Sequence, residues 1–424
     1  MRGKEIIIIN HCSTNKGDKA VLEYVLKKLR LTSDFAISVF ASEPKYVPNH
    51  RDVEVFQWIW DKVTSSNSSL LARLIKRIFR EIGWLRFKLL RRRLLKGNFS
   101  GIPFWAAPLT CRRRFRDANL IISTGGHHFT SLLEADCVSP QLYELMLAVA
   151  SGTRTVLWSQ SFGPFVFNEK KNEELVKLVL GSVYKIYVRD QKSFVELKRL
   201  SITANICDFT EDSVFGLLSK SDSRNVLNGI EKENPLLGIS VYDVMEKSIE
   251  QQDRYVHEIA ESLRFSAMKG YQVLFFPMQI EGRPSDDRPL IKRIIRTADL
   301  GDDAVRISPD FVNMETHSAA VSKCSIFLGH KTHSVVMALS AAVPILAIAY
   351  HSKTAEFMEK FHMSDYVIND DEFSIDWFSK NFERLIKNRE KIVNHQVQVS
   401  SKLYAQVNAD FIKMLNDAGV LENI

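Results

Sequence analysis

Lys331, His333 and Lys353 are the side chains of this 424-residue chain whose types and spacing point most directly to chemistry. Lys331 and His333 stand where a short loop that starts at Gly329 enters an apolar helix, expected over residues 334–342 and beginning at Ser334. Pro344 closes that helix. A buried-looking strand over 345–349 follows, and Tyr350-His351-Ser352-Lys353 punctuates its end. A helix N-terminus offers unpaired backbone N–H groups and a partial positive charge. Two lysines and an imidazole beside it make a site for a small anion with a proton donor at hand. An ordinary βα loop carrying incidental basic residues has the same look, so a second motif has to decide.

That motif lies near the N-terminus. Residues 5–10, Glu-Ile-Ile-Ile-Ile-Asn, read as a fully buried parallel strand, because the β-branched run shows no alternation. A polar turn over 11–18 follows. Ala20, Val21, Tyr24, Val25 and Leu29 then repeat at the spacing of an amphipathic helix over 19–30. Asn15, Gly17 and Asp18 thus sit at a helix start above the carboxyl end of a strand, where open α/β sheets bind ligands. The turn is neither a G-x-G-x-x-G fingerprint nor a P-loop. Asp18 also suits a purely structural role, as a carboxylate favoured by the helix dipole.

With these two motifs in order, the chain resembles the polysaccharide pyruvyl transferases. The resemblance rests on Asn15-x-Gly17-Asp18, Gly329-x-Lys331-x-His333 and Pro344…Tyr350-x-x-Lys353. Further landmarks are Gly125-Gly126, Gln160-Ser161-Phe162-Gly163-Pro164, Val188-Arg189-Asp190-x-x-Ser193 and Asp212, so it spans roughly residues 5–360. It implies a transferase that moves the enolpyruvyl group of phosphoenolpyruvate onto a sugar of a cell-surface glycan, usually as a ketal, with release of phosphate. It also implies a GT-B-like pair of Rossmann-like open sheets facing a cleft. Two departures stand out. Lys331 occupies a position where the family usually has Arg, giving a point charge without a bidentate fork. His127-His128 cut short a glycine run.

The chemistry can be assigned to residues on that basis. Phosphoenolpyruvate carries a phosphate and a carboxylate, so its site needs two or more cations and backbone donors. Arg189, Lys331, Lys353 and the turn at Ser334 are expected to supply them, with Asn15 and Gly17 lining the site. His333, with an ordinary pKa of about 6.5, is the expected general acid that protonates C3. Asp18 is the expected carboxylate opposite the developing oxocarbenium charge. Gly126, His127 and His128 are expected substrate contacts, although polar loop residues would look alike. No metal or cofactor is expected, phosphoenolpyruvate being the donor substrate. The alternative is a sugar-nucleotide glycosyltransferase of the same architecture, which would hold a diphosphate with the same kinds of group.

Composition sets outer limits. At 45% hydrophobic residues the chain can bury a sizeable core, and its length suits two or three domains. Cys12, Cys111, Cys137, Cys207 and Cys324 are scattered without a C-x-x-C pair, as expected of a reducing cytoplasmic protein without zinc. The apolar run at Ile6–Ile9 is too short for a signal sequence, and no run is long enough to span a bilayer.

The net charge of +7 is concentrated. Arg73, Lys76, Arg77, Arg80, Arg86, Lys88, Arg91, Arg92, Arg93 and Lys96 face only Glu81, which gives +9 over 73–96 and leaves −2 for the rest. Leu71, Ile75, Ile78, Ile82, Leu85 and Leu89 form an apolar stripe at helical steps, flanked by Trp84 and Phe87. Such a helix suits an anionic membrane surface. Packing on its own domain by that stripe, or binding nucleic acid, are the other readings; the aromatics do not interleave with the charges as stacking platforms would, so no nucleic acid is expected. The resemblance agrees, since acceptors in such pathways are often sugars on a polyprenyl carrier. The expected place is therefore the inner face of the cell membrane, peripherally bound.

These residues need an α/β scaffold. Strands are expected at 5–10, 36–40, 53–56, 119–123, 155–158 and 185–188 in an N-terminal domain (1–218) with a basic insertion over 60–118. The polar stretch 219–234 reads as a linker. A C-terminal α/β domain (235–374) has strands expected at 236–241, 273–277, 304–307, 325–328 and 345–349, and terminal helices fill 375–424.

Overall fold

A computed structural model describes residues 4–47, 52–60, 70–132, 134–202, 206–217, 227, 234–242, 247–280, 286–301, 303–310, 313–350 and 352–421, with 70–76 and 78–80 as backbone only. The expected linker, 219–234, falls almost wholly outside these residues, as do the side chains of Leu71, Ile75 and Ile78. The chain divides into two compact units. The first comprises Met1–Ser13, Val21–Ser213 and Val407–Ile424; the second comprises Thr14–Ala20 and Val214–Gln406.

The first unit runs β1 (Glu5–His11), α1 (Lys16–Thr32), β2 (Ala36–Ala41), β3 (Val53–Gln57), α2 (Leu70–Leu95), α3 (Leu109–Asp117), β4 (Leu120–Ser123), α4 (Pro140–Ser151), β5 (Thr155–Gln160), α5 (Lys170–Gly181), β6 (Lys185–Val188), α6 (Gln191–Arg199) and β7 (Cys207–Phe209). Its strands are parallel in the order β3-β2-β1-β4-β5-β6-β7. Ile6, Ile7, Ile8 and Ile9 are all fully buried, because helices cover both sheet faces and β1 lies inside the sheet. Each such side chain contributes about 1.5–3 kcal/mol by leaving water.

The second unit continues with β8 (Leu236–Ser240), α7 (Ile249–Met268), β9 (Gln272–Phe275), α8 (Asp287–Ala298), β10 (Val305–Ile307), α9 (Met314–Val321), β11 (Ile326–Gly329), α10 (Thr332–Ser340), β12 (Ile345–Ala349), α11 (Ser352–Lys360), β13 (Val367–Asn369), α12 (Ile375–Lys387) and α13 (Arg389–Asp417). Its parallel order is β10-β9-β8-β11-β12-β13. The last part of α13, from Val407, belongs to the first unit. The fold is thus α/β with two open parallel sheets. Beyond the expected strands, each sheet gains a three-residue edge strand, β7 and β13, too short to carry a periodic signal.

Two helix starts are corrected. The helix expected from Lys19 begins at Lys16, because the Asn15 side chain accepts from the N–H groups of Gly17 (2.8 Å) and Asp18 (3.2 Å) and caps it. The helix expected over 334–342 covers Thr332–Ser340 instead, so His333 lies within its first turn. It stops short because Ala342 adopts a left-handed φ of 54°.

The basic insertion also turns out differently from a single packing stripe. Phe87, Leu90 and Leu94 are buried, and Gly83 lies against the Trp60 indole. Trp60 meets Trp84, Phe87 and Tyr143 edge-on at 5.7, 5.7 and 5.2 Å. The stripe read from the sequence, at Ile82, Leu85 and Leu89, faces outward.

Candidate functional site

In the second sheet the strand order reverses between β8 and β11, so the loops leaving these two strands diverge and open a crevice at their carboxyl ends. Lys331 follows β11 and is the N-cap of α10, with extended backbone (φ −79°, ψ 133°) and no side-chain cap. Ser334 is buried. Its hydroxyl donates to the Lys331 carbonyl (2.7 Å) and meets the Ser240 hydroxyl at the end of β8, so it fixes the turn across the two strands. The start of α11, which carries half-buried Lys353, is tied to the start of α10 by Thr332 and Thr354 hydroxyls 3.0 Å apart.

Lys331 does not stand alone. Its ammonium lies 2.7 Å from Asp287 Oδ1, both side chains nearly withdrawn from water. The other oxygen of Asp287 accepts from the N–H groups of Met278 and Gln279, each at 2.8 Å. Burial raises the Asp287 pKa, against the opposing pull of Lys331 and those N–H donors. On its other side Lys331 sits 5.4 Å above the Tyr242 ring, which stacks on Tyr350 at 4.3 Å. Behind these rings Tyr255 Oη lies 2.7 Å from buried His330 Nδ1. Burial, with Lys247 and Lys331 adding to it, drives His330 down to about 3, so it is neutral.

The segment Thr14–Ala20 completes this group within the second unit. Lys16 N–H donates to the Met278 carbonyl (2.9 Å), Asn15 bridges Gln279, and Gln279 Nε2 donates to Thr14 Oγ1 (3.0 Å). Gly17 lies directly under His333, so closely that a Cβ there would overlap the imidazole. Asn15, Gly17 and Asp18 are therefore brought to Lys331 and His333 through the Met278–Gln279 loop and Asp287. Lys16, the unassigned position of the motif, is 1% exposed, and its ammonium is 3.5 Å from the Pro309 carbonyl. Burial pulls it down to about 7; Asp310 and Asp287 oppose that, while Lys19 and Arg288 add to it. Arg288 in turn is held by Asp286 and Asp310. His317, buried nearby, stays neutral for the same reason of burial, with Lys16 and Lys19 adding to it.

The remaining candidates belong to the first unit. Its strand order reverses between β1 and β4, and Gly126, His127 and His128 leave β4 at that point. A Cβ at Gly126 would overlap the His128 ring, and Gly126 O accepts from Ser161 N–H and Gln160 Nε2, both at 2.9 Å. His127 Nε2 meets the Gly163 carbonyl. Arg189 is buried, with its guanidinium 2.6 Å from Asp212 and 2.9 Å from Ser161 Oγ. Ser161 also donates to Asp190 (2.6 Å), and Phe162 N–H donates to Ser193 Oγ (2.8 Å). The landmarks Gln160, Ser161, Arg189, Asp190, Ser193 and Asp212 are thus one buried polar network. Arg189 meets its counter-charge inside it.

Lys16 and Asp287 are the site residues that sequence reading missed. Lys16 falls in the polar turn over 11–18, where nothing in the residue pattern signals burial. Asp287 carried no motif and is recognisable only through its partners.

A model of the polysaccharide pyruvyl transferase family matches residues 15–352. The chain belongs to that family. The match begins at Asn15 and ends one residue before Lys353, so it includes every candidate site residue except Lys353. The amylovoran biosynthesis protein AmsJ of Erwinia amylovora is 21% identical over 381 residues, covering 85% of this chain and 87% of its own. Membership makes the chain a transferase of polysaccharide biosynthesis. Solved structures share the fold at low identity. The Staphylococcus aureus MnaA–UDP complex has a TM-score of 0.60 and 10% identity, covering 99% of this chain and 98% of its own. The UDP-GlcNAc 2-epimerase of Neisseria meningitidis bound to UDP-GlcNAc has 0.58 and 11%, covering 97% and 100%. Anabaena HepE with UDP-glucose has 0.57 and 12%, covering 97% and 99%. These are GT-B-type folds, and the family member described here has that fold too.

Proposed function

We propose that this transferase takes phosphoenolpyruvate as donor and places its pyruvyl group as a ketal on a sugar of a cell-surface polysaccharide or its polyprenyl-linked precursor, releasing phosphate. The observation that carries the reading is the grouping of Lys331, His333 and Gly17 around the first turn of α10, which has no side-chain cap, with Lys16 next to Gly17 in the chain. An uncapped turn with lysines suits a small doubly charged anion. Lys331, Lys16 and Lys353 hold the donor's phosphate and carboxylate. His333 gives a proton to C3 while a sugar hydroxyl attacks C2, and Asp18 offsets the positive charge that builds there. A second hydroxyl then displaces phosphate; one hydroxyl proton returns to His333 and the other leaves with the phosphate. Arg189 is paired with Asp212 within the first unit.

The enzyme works peripherally at the inner face of the cell membrane, where polyprenyl-linked acceptors are displayed. The fold neighbours bound to UDP or UDP-sugars favour one second reading, a sugar-nucleotide transferase or related enzyme using the α10 turn for a diphosphate. Phosphate release decides between them. Wild-type protein given phosphoenolpyruvate and lipid-linked glycan should liberate inorganic phosphate only when both are present. Turnover of a UDP-sugar with no phosphoenolpyruvate consumption would overturn the proposal.

A further inference from the structure

The outward face of α2 is apolar and basic at once. Ile82, Leu85 and Leu89 are 39%, 57% and 41% exposed, and Trp84 beside them is 38% exposed. Leu85 and Phe87, two residues apart, point about 200° away from each other around the helix axis. The inward side is therefore complete with Phe87, Leu90 and Leu94, and the outward one is left over. Arg77, Lys88 and Arg92 are exposed on that outward side, and Lys96 is exposed just past the helix end. Among the described residues none of these four cations has an acidic partner, whereas Arg91 pairs with Glu169 and Arg93 is held by Asn98 and Ser100. Only Glu81 is acidic on this helix. No helix among the described residues is long and apolar enough to cross a membrane.

We propose that α2 is a membrane-docking helix that lies in the plane of an anionic bilayer, inserting Ile82, Leu85 and Leu89 below the headgroups while Arg77, Lys88, Arg92 and Lys96 engage lipid phosphates. This deepens the membrane-surface reading above by naming the inserting residues and the lipid charge they need. An anionic bilayer accounts for both halves of the face: lipid phosphates attract the four cations, and the acyl boundary takes up the aliphatic ridge. A nucleic acid would leave Ile82, Leu85 and Leu89 in water. A second copy of the same face would set cation against cation.

The test is co-sedimentation of the full chain with vesicles of phosphatidylglycerol and phosphatidylcholine, against vesicles of phosphatidylcholine alone. Wild-type protein should bind the anionic vesicles and not the neutral ones. Leu85→Asp/Leu89→Asp and Lys88→Glu/Arg92→Glu should each weaken that binding by about 10-fold or more. Added salt should weaken wild-type binding without abolishing it, because insertion is not screened. The proposal is overturned if wild-type protein ignores anionic vesicles or binds neutral ones equally. It is also overturned if the Leu85/Leu89 variant binds as wild type does, or if the variants change oligomeric state by size-exclusion instead. Thermal stabilisation by phosphoenolpyruvate, read in parallel, is independent of this face. Its loss with vesicle binding intact would count against the donor reading and leave the docking helix standing.

Discussion

Lys331 Nζ lies 2.7 Å from Asp287 Oδ1, and this carboxylate also takes two backbone N–H groups from the Met278–Gln279 loop. One ion pair thus ties the start of α10 to the loop on which Asn15 and Lys16 dock. Removing one partner of a buried pair leaves the other uncompensated, a loss of about 3–5 kcal/mol. Asp287→Asn should therefore destabilise the protein by about 3 kcal/mol in urea unfolding. In a cycle with Lys331→Met the double variant should lose about 1–3 kcal/mol less than the two single losses combined. Simple additivity would show that the pair is not coupled.

His333 rests on Gly17 with no room for a Cβ between them. His333→Ala should lower the transfer rate by about 10²–10⁴-fold, the usual share of a positioned acid, with phosphoenolpyruvate binding kept within a few-fold. Gly17→Ala should displace the same imidazole and reproduce much of the rate loss while His333 is still present. Normal turnover by His333→Ala, measured as phosphate release, would remove it from the chemistry.

Lys16 is pulled down to about 7 by burial. The groups that face it are Asp310, Asp287, Arg288, Lys19 and His317. Above its folded pKa the ammonium is neutral in the folded protein and still charged in the unfolded chain. Stability from this group therefore rises with pH between about 7 and 10.5, and is lost as pH falls. A bound anion reverses the preference. Phosphoenolpyruvate binding at about pH 8 should take up a proton, seen as a buffer-dependent heat in calorimetry in Pipes and Tris, and Lys16→Met should abolish that dependence. Buffer-independent heats in wild type would contradict it.

Glu144 on α4 is fully buried, where it accepts from Asn10 N–H at 3.0 Å, and burial raises it to about 8. A raised carboxyl pKa makes the folded state hold its proton longer than the unfolded chain. Stability is then full below the unfolded value near 4.5 and falls as pH climbs toward 8. Glu144→Gln removes that penalty. It should raise stability by about 2–4 kcal/mol at about pH 8 and change little at about pH 4 in denaturant unfolding. An equal effect at both pH values would show that the carboxyl is not the cause.

Much of the scaffold was legible because buried parallel strands announce themselves. Ile6–Ile9 and Ile345–Ala349 are continuous apolar runs, the first followed by α1 and the second set between α10 and α11. Helix starts were less legible. Asn15 caps by folding its own side chain back, and the α10 turn is fixed by Ser240, ninety-four residues from Ser334. The pairing of Lys331 with Asp287 is not legible at all, since Asp287 sits beside Asp286 in a polar run with no period and no motif. The stripe on α2 was read correctly as apolar. Its outward orientation depends on Trp60 and Tyr143 claiming the opposite face, which only tertiary packing decides.

The central claim is that the α10 turn with Lys331 and His333 receives phosphoenolpyruvate. Ligand-induced thermal shift of the full chain tests it most directly, because only a true donor stabilises at modest concentration by mass action. Phosphoenolpyruvate should raise the melting temperature of wild type and fail to do so for Lys331→Glu, while UDP-GlcNAc and UDP-glucose leave wild type unmoved. Stabilisation by the UDP-sugars with none by phosphoenolpyruvate would contradict the account.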